Sequence, residues 1–129
     1  MISMKKTITM ILAVVLLVSA LSITASAASK YTSGRYRGKS WSGSVSAFPN
    51  SASAEITYSG IEELKITLYC FTYAYVDGSY EYSATIRRSG GAIQQNSVII
   101  SRPSSETVAS ATGIYYVDGA RVSECSIER

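Results

Sequence analysis

Cys70 and Cys125 are the only thiols in a chain of 129 residues that contains no histidine. Without an imidazole, neither a Ser-His-Asp nor a Cys-His relay can be built, and the commonest zinc and copper ligand is missing. Two thiolates alone complete neither a four-cysteine zinc site nor an iron–sulfur cluster. No metal site and no cofactor are therefore expected. A reactive thiol needs an electropositive neighbourhood or a Cys-x-x-Cys spacing, and neither is visible around these two. An even pair in an exported chain reads instead as a disulfide, here closing a loop of about 55 residues and contributing on the order of 4 kcal/mol.

The carboxylates make no acid/base pair. Glu62 and Glu63 are adjacent before a strand, where neighbours point to opposite faces. Glu55, Glu81, Glu106, Glu124 and Glu128 are scattered, and Asp77 and Asp118 each precede a glycine as turn residues do. No catalytic residue is assigned. Phosphate-binding glycine loops, calcium loops and Ser-x-x-Lys motifs are absent after residue 27.

Two surfaces remain as candidates for binding. Tyr69, Phe71, Tyr73 and Tyr75 stand at alternate positions, so a strand would present all four on one face. Tyrosine offers area and a hydroxyl at low entropic cost, which suits a sugar, a peptide or another protein. Arg35, Tyr36, Arg37 and Lys39 mix cations with an aromatic ring near the start of the processed chain and suit contact with an anionic surface.

The elements that must carry these residues follow a short leader. Lys5 and Lys6 precede the apolar run Ile8 to Leu21, and Ala25-Ser26-Ala27 closes the segment. A charged start, a short apolar centre and a small-x-small end form a secretory signal peptide, expected over residues 1–27 with cleavage before Ala28. No later stretch is apolar and long enough to span a bilayer as a helix. The expected product is secreted, with no transmembrane segment. Its net charge is +1, which argues against a nucleic-acid partner. Residues 28–39 hold four cations and no acid, and read as a flexible basic arm.

Residues 40–129 read as one small antiparallel β-sandwich of about seven strands. Period-two alternation puts Trp41, Val45 and Ala47 on one face, and Ala54, Ile56 and Tyr58 on another, with Pro49-Asn50 turning between them. Leu64 to Val76 is the clearest strand, with Leu64, Ile66, Leu68, Cys70, Thr72, Ala74 and Val76 opposite the aromatic stripe. It turns at Asp77-Gly78 and returns over Ser79 to Arg88. A three-residue loop with a bulge would set Cys70 against Ala84 and Leu68 against Ile86, keeping apolar with apolar. A two-residue loop would set them against Thr85 and Arg87. The first register is preferred on that matching. It surrounds the stripe with a polar rim of Glu81, Ser83, Thr85 and Arg87, and places Tyr80 and Tyr82 on the opposite side. A short strand follows over Ser97 to Ser101, then a last hairpin turning at Asp118-Gly119, where Tyr-Val-Asp-Gly recurs. The Cys-Trp-Cys order of immunoglobulin domains is absent, because Trp41 precedes both cysteines.

The functional expectation is a small exported, non-catalytic binding or surface-associated module that uses the tyrosine face. Its partner would be a cell-envelope polymer, a peptide or a protein. The alternatives are a secreted antimicrobial or toxin-like protein and, third, a small carboxylate hydrolase.

Overall fold

The computed structural model describes residues 27–129. The expected leader, apart from Ala27, lies outside the described residues. Nine antiparallel strands form two sheets, and no helix occurs among the described residues. They are β1 (Ala28–Tyr36), β2 (Lys39–Phe48), β3 (Ser51–Tyr58), β4 (Glu63–Val76), β5 (Ser79–Arg88), β6 (Ala92–Ile93), β7 (Gln95–Ser101), β8 (Thr107–Val117) and β9 (Ala120–Glu128). One sheet has the order β1-β2-β3-β7. The other has the order β5-β4-β8-β9, with β6 beside the start of β4.

The two strands beyond the expected seven are β6 and β1. Residues 28–36, expected to be a flexible arm, pair with β2 along their whole length, from Ala28 against Ala47 to Tyr36 against Lys39. The turn is Arg37-Gly38, with φ of 50° and 78°. Two successive left-handed residues make a type I′ hairpin, whose twist matches that of its strands. Asp77-Gly78 (48°, 82°) and Asp118-Gly119 (52°, 76°) repeat this geometry. All three turns end in glycine, which adopts positive φ without steric cost.

The same turn type decides the β4–β5 register. The loop has two residues, so Val76 pairs with Ser79, Cys70 with Thr85 and Leu68 with Arg87. The expected bulged register is therefore wrong by one residue. Matching apolar to apolar assumed that β5 buries a face. It is an edge strand, and all but one of its ten residues are exposed. With no buried face to satisfy, turn chemistry alone sets the pairing.

The core lies between the sheets. From the first come Trp41, Val45, Ala47, Ala52, Ala54, Ile56, Tyr58, Val98 and Ile100; from the second come Leu64, Ile66, Leu68, Cys70, Val108, Ala111, Tyr115, Val117 and Cys125. These are the alternating sets on β2, β3 and β4 that periodicity identifies. Side-chain bonds close the two flanks of the sandwich. Thr32 of β1 and Ser123 of β9 share a hydroxyl hydrogen bond of 3.0 Å. The Arg87 guanidinium donates to the Ile99 carbonyl at 3.0 Å, tying β5 to β7. Asn50 Nδ2 donates to the Pro103 and Glu106 carbonyls, anchoring the β2–β3 turn to the loop before β8.

The expected disulfide is absent, and both cysteines are free and buried. Cys70 lies on β4 opposite Ala111, and Cys125 lies on β9 opposite Gly113. Strand β8 therefore runs between them. Two strand spacings are about 9.6 Å, whereas bridged cysteines have Cα atoms within about 6.8 Å. The expected small neighbour Ala84 is not beside Cys70, which faces Thr85 on β5, and no bond between the two sulfurs can form without breaking the sheet. Burial also pushes both thiols above their ordinary pKa, so neither is an activated nucleophile. Thiol labelling is expected to find no reactive thiol in the folded protein and two after denaturation. Reaction of either in the native state would contradict this placement.

Candidate aromatic binding face

Sheet alternation places Tyr69, Phe71, Tyr73 and Tyr75 on the outer face of β4, opposite the core. The observed register then adds more rings. Cross-strand partners share a face in an antiparallel pair. Tyr73 lies opposite Tyr82, Tyr75 opposite Tyr80, Phe71 opposite Ala84 and Tyr69 opposite Ile86. The polar rim expected around the stripe is thus replaced by tyrosine, alanine and isoleucine. Glu81, Ser83, Thr85 and Arg87 instead point to the inner side.

Six rings share this face, and four of them, Tyr73, Tyr75, Tyr80 and Tyr82, are in mutual contact. Tyr75 and Tyr80 are 5.0 Å apart between centroids, Tyr73 and Tyr80 are 5.7 Å, and Tyr73 and Tyr82 are 6.3 Å. The pairs with Tyr80 are edge-to-face, the arrangement that aromatic quadrupoles favour. Exposure is 65% for Tyr75, 59% for Tyr80, 78% for Tyr82 and 40% for Phe71. Tyr69 and Tyr73 are half-buried beneath their neighbours. Strand β8 pairs with β4 only as far as Tyr73, so the tip of the β4–β5 hairpin stands clear of it. Tyr80 and Tyr82 were missed as members because the bulged register turned them away. The Asp-Gly turn signal was sufficient to find them.

The basic segment has a different fate. Arg37 sits at the β1–β2 turn, stacked 5.2 Å from the centre of the Tyr36 ring and 3.2 Å from the Asp118 carboxylate. The Tyr36 ring packs edge-on to Tyr58 at 6.4 Å, and the Tyr58 hydroxyl donates to the Tyr36 carbonyl. Arg35 and Lys39 are exposed on either side of the turn. The Asp118 amide bonds the Glu63 carbonyl, which locates this turn at the start of β4. The aromatic tip is at the other end of that strand. The two candidate surfaces therefore do not combine into one site.

Carboxylates are equally dispersed. Glu63 pairs with Lys65, Arg102 with Glu106 and Arg121 with Glu124. Backbone hydrogen bonds hold the Glu62 carboxyl below its ordinary pKa, and the Arg102 hydrogen bond does the same for Glu106. A general acid needs a shift the other way. Among the described residues, no three acidic or thiol groups cluster as a metal site would require. The outer face of the first sheet carries a shallow concavity of about 500 Å³ lined by Tyr31, Ser33, Ser42, Ser44, Glu55 and Thr57. It holds a single carboxylate and no partner acid.

No protein-family model, no curated protein and no solved structure matches this chain. The fold defines its class: a two-sheet antiparallel all-β protein with an exposed aromatic face.

Proposed function

We propose that the protein is an exported, non-catalytic binding module that takes an uncharged polysaccharide across the aromatic face of β4 and β5. The observation that carries this reading is the presence of six rings on one open sheet face. Folded monomers rarely leave so much contiguous apolar area without a use. The face is uncharged along its length from Tyr75 to Ile86. Such a surface offers nothing to an ionic ligand. Its flat rings stack on the C–H faces of pyranoses, while the tyrosine hydroxyls reach sugar hydroxyls. Binding across an open sheet also suits a long polymer better than a small molecule, which needs a concave pocket.

The test is retention on polysaccharide gels, with products analysed for new reducing ends. Retention by a neutral polymer without cleavage is expected. Loss of retention on every neutral polymer overturns the reading, and release of reducing ends overturns its non-catalytic part. Dye leakage from anionic vesicles without polysaccharide binding would favour the toxin-like alternative.

Export is supported by the fit between leader and fold. Strand β1 begins at Ala28, directly after Ala25-Ser26-Ala27, so cleavage there leaves every strand whole. N-terminal sequencing of the exported form is expected to read Ala-Ser-Lys-Tyr. A retained Met1 or a lipid-modified residue would contradict it.

A further inference from the structure

Strand β5 is a sheet edge with an open hydrogen-bonding side over its outer half. The other edges approach one another: β1 meets β9 through Thr32 and Ser123, and β7 meets the end of β5 through Arg87. From Ser79 to Ile86, β5 has no such cover, no proline, no lysine and no bulge in its pairing with β4. Proteins usually protect a long, exposed edge by such devices, because it is a template for another strand.

Hairpin geometry fixes which groups are open. In a two-residue loop, the flanking pair Val76 and Ser79 bond each other, so the odd-numbered residues of β5 bond β4. The bond from the Ser89 amide to the Ile66 carbonyl continues that series. Tyr80, Tyr82, Ala84 and Ile86 therefore direct their N–H and C=O groups outward.

We infer that β5 pairs antiparallel with β5 of a second copy of this chain, about a two-fold axis at Ala84. The side-chain pattern selects this register. A two-fold axis normal to the sheet sets even residues against even and odd against odd. Centring it on Ala84 places Glu81 against the partner's Arg87 and Tyr82 against the partner's Ile86, each twice by symmetry. Moving the axis by one residue either way loses the Glu–Arg pairing and sets Glu81 against no cation. Within one chain, Glu81 lies opposite Ala74 and has no ion partner among the described residues. Arg87 uses one guanidinium nitrogen on Ile99, leaving other donors for a carboxylate. Glu81 and the partner's Arg87 fall at a position without main-chain bonds between them, where side chains come closest. The product is one continuous sheet carrying both aromatic faces on the same side, with twelve rings in place of six.

This inference rests on edge geometry and charge, not on the ligand of the aromatic face, and its readout is mass. Sedimentation equilibrium of the protein as recovered from expression of the full chain is expected to show a dimer. Glu81→Arg or Arg87→Glu alone should each weaken it at least about tenfold, because like charges then meet at two symmetric places. The double exchange should restore the dimer to within about threefold, since it swaps the pair without changing the register. Ala84→Cys should yield a disulfide-linked dimer on mild oxidation, because directly opposed strand positions lie within bridging distance. Ser79→Cys should not. Circular dichroism of each single variant should show an intact fold. A folded monomer at high micromolar concentration, a dimer indifferent to Glu81→Arg, or a double variant no better than the singles would overturn the inference.

Discussion

Replacing Tyr115 with alanine is expected to remove about 3–5 kcal/mol of stability, the scale of a large aromatic lost from a core. Domains of this size hold only about 5–15 kcal/mol in total. Tyr115 is completely buried on the inner face of β8. Its ring crosses the sandwich to β2, and its hydroxyl donates to the Ser44 carbonyl at 2.6 Å. Two glycines make the space. A Cβ at Gly113 would sit 2.7 Å from the Tyr115 hydroxyl, and one at Gly43 would sit 3.2 Å from the ring. Glycine weakens a strand, so its presence on both facing strands is explained by this side chain. Tyr115→Phe should lose about 0.5–1.5 kcal/mol, the net worth of one hydrogen bond. Gly113→Ala should cost about 1–3 kcal/mol by overpacking. Chemical denaturation measures all three, and a loss below about 1 kcal/mol for Tyr115→Ala would show that the ring does not bridge the sheets.

The same residue gives an alkaline signature. Burial pushes the Tyr115 hydroxyl well above its ordinary value of 10.0, and burial with help from Glu62 raises Tyr58 as well. A group whose folded pKa is raised stabilises the fold fully below its unfolded pKa, and that contribution is lost as pH rises beyond it. Stability should therefore decline above about pH 10. Tyr115→Phe should lessen the decline.

Residue patterns gave access to the sandwich where one face of a strand is buried. Alternation located the inward sets of β2, β3 and β4, and Pro49-Asn50, Asp77-Gly78 and Asp118-Gly119 located turns. It failed where neither face is deeply buried. Strand β1 alternates between half-buried and exposed rather than apolar and polar, and its turn is Arg-Gly, which takes the Asp-Gly geometry without the usual residue. Charge in that segment suggested an arm, although Arg37 is held by Tyr36 and Asp118. The β5 register failed because apolar matching presupposes a core face. The disulfide failed for a different reason. Parity and compartment describe a population of cysteines, whereas strand order decides a particular pair, and strand order is not written in spacing along the chain.

Removing two outer rings should abolish polysaccharide binding while leaving the fold intact. Tyr75→Ser with Tyr82→Ser is the informative combination, because both side chains are more than half exposed and their rings touch different neighbours, Tyr80 and Tyr73. Tyr73 is the wrong choice, since it is half-buried and supports both Tyr80 and Tyr82. An aromatic anchor at a binding surface typically loses about 2 kcal/mol on truncation, or about thirtyfold in affinity. Separate anchors add, so the pair should lose about a thousandfold on a retained neutral polysaccharide. Stability should change by no more than about 1 kcal/mol, as for other exposed positions. The two readouts divide the explanations. Lost binding with unchanged stability assigns the rings to the ligand. Lost stability of several kcal/mol assigns them to packing, and the face then belongs to the fold. Retained binding with retained stability removes the aromatic face from function altogether, and the outer serine-rich face of the other sheet becomes the surface to test.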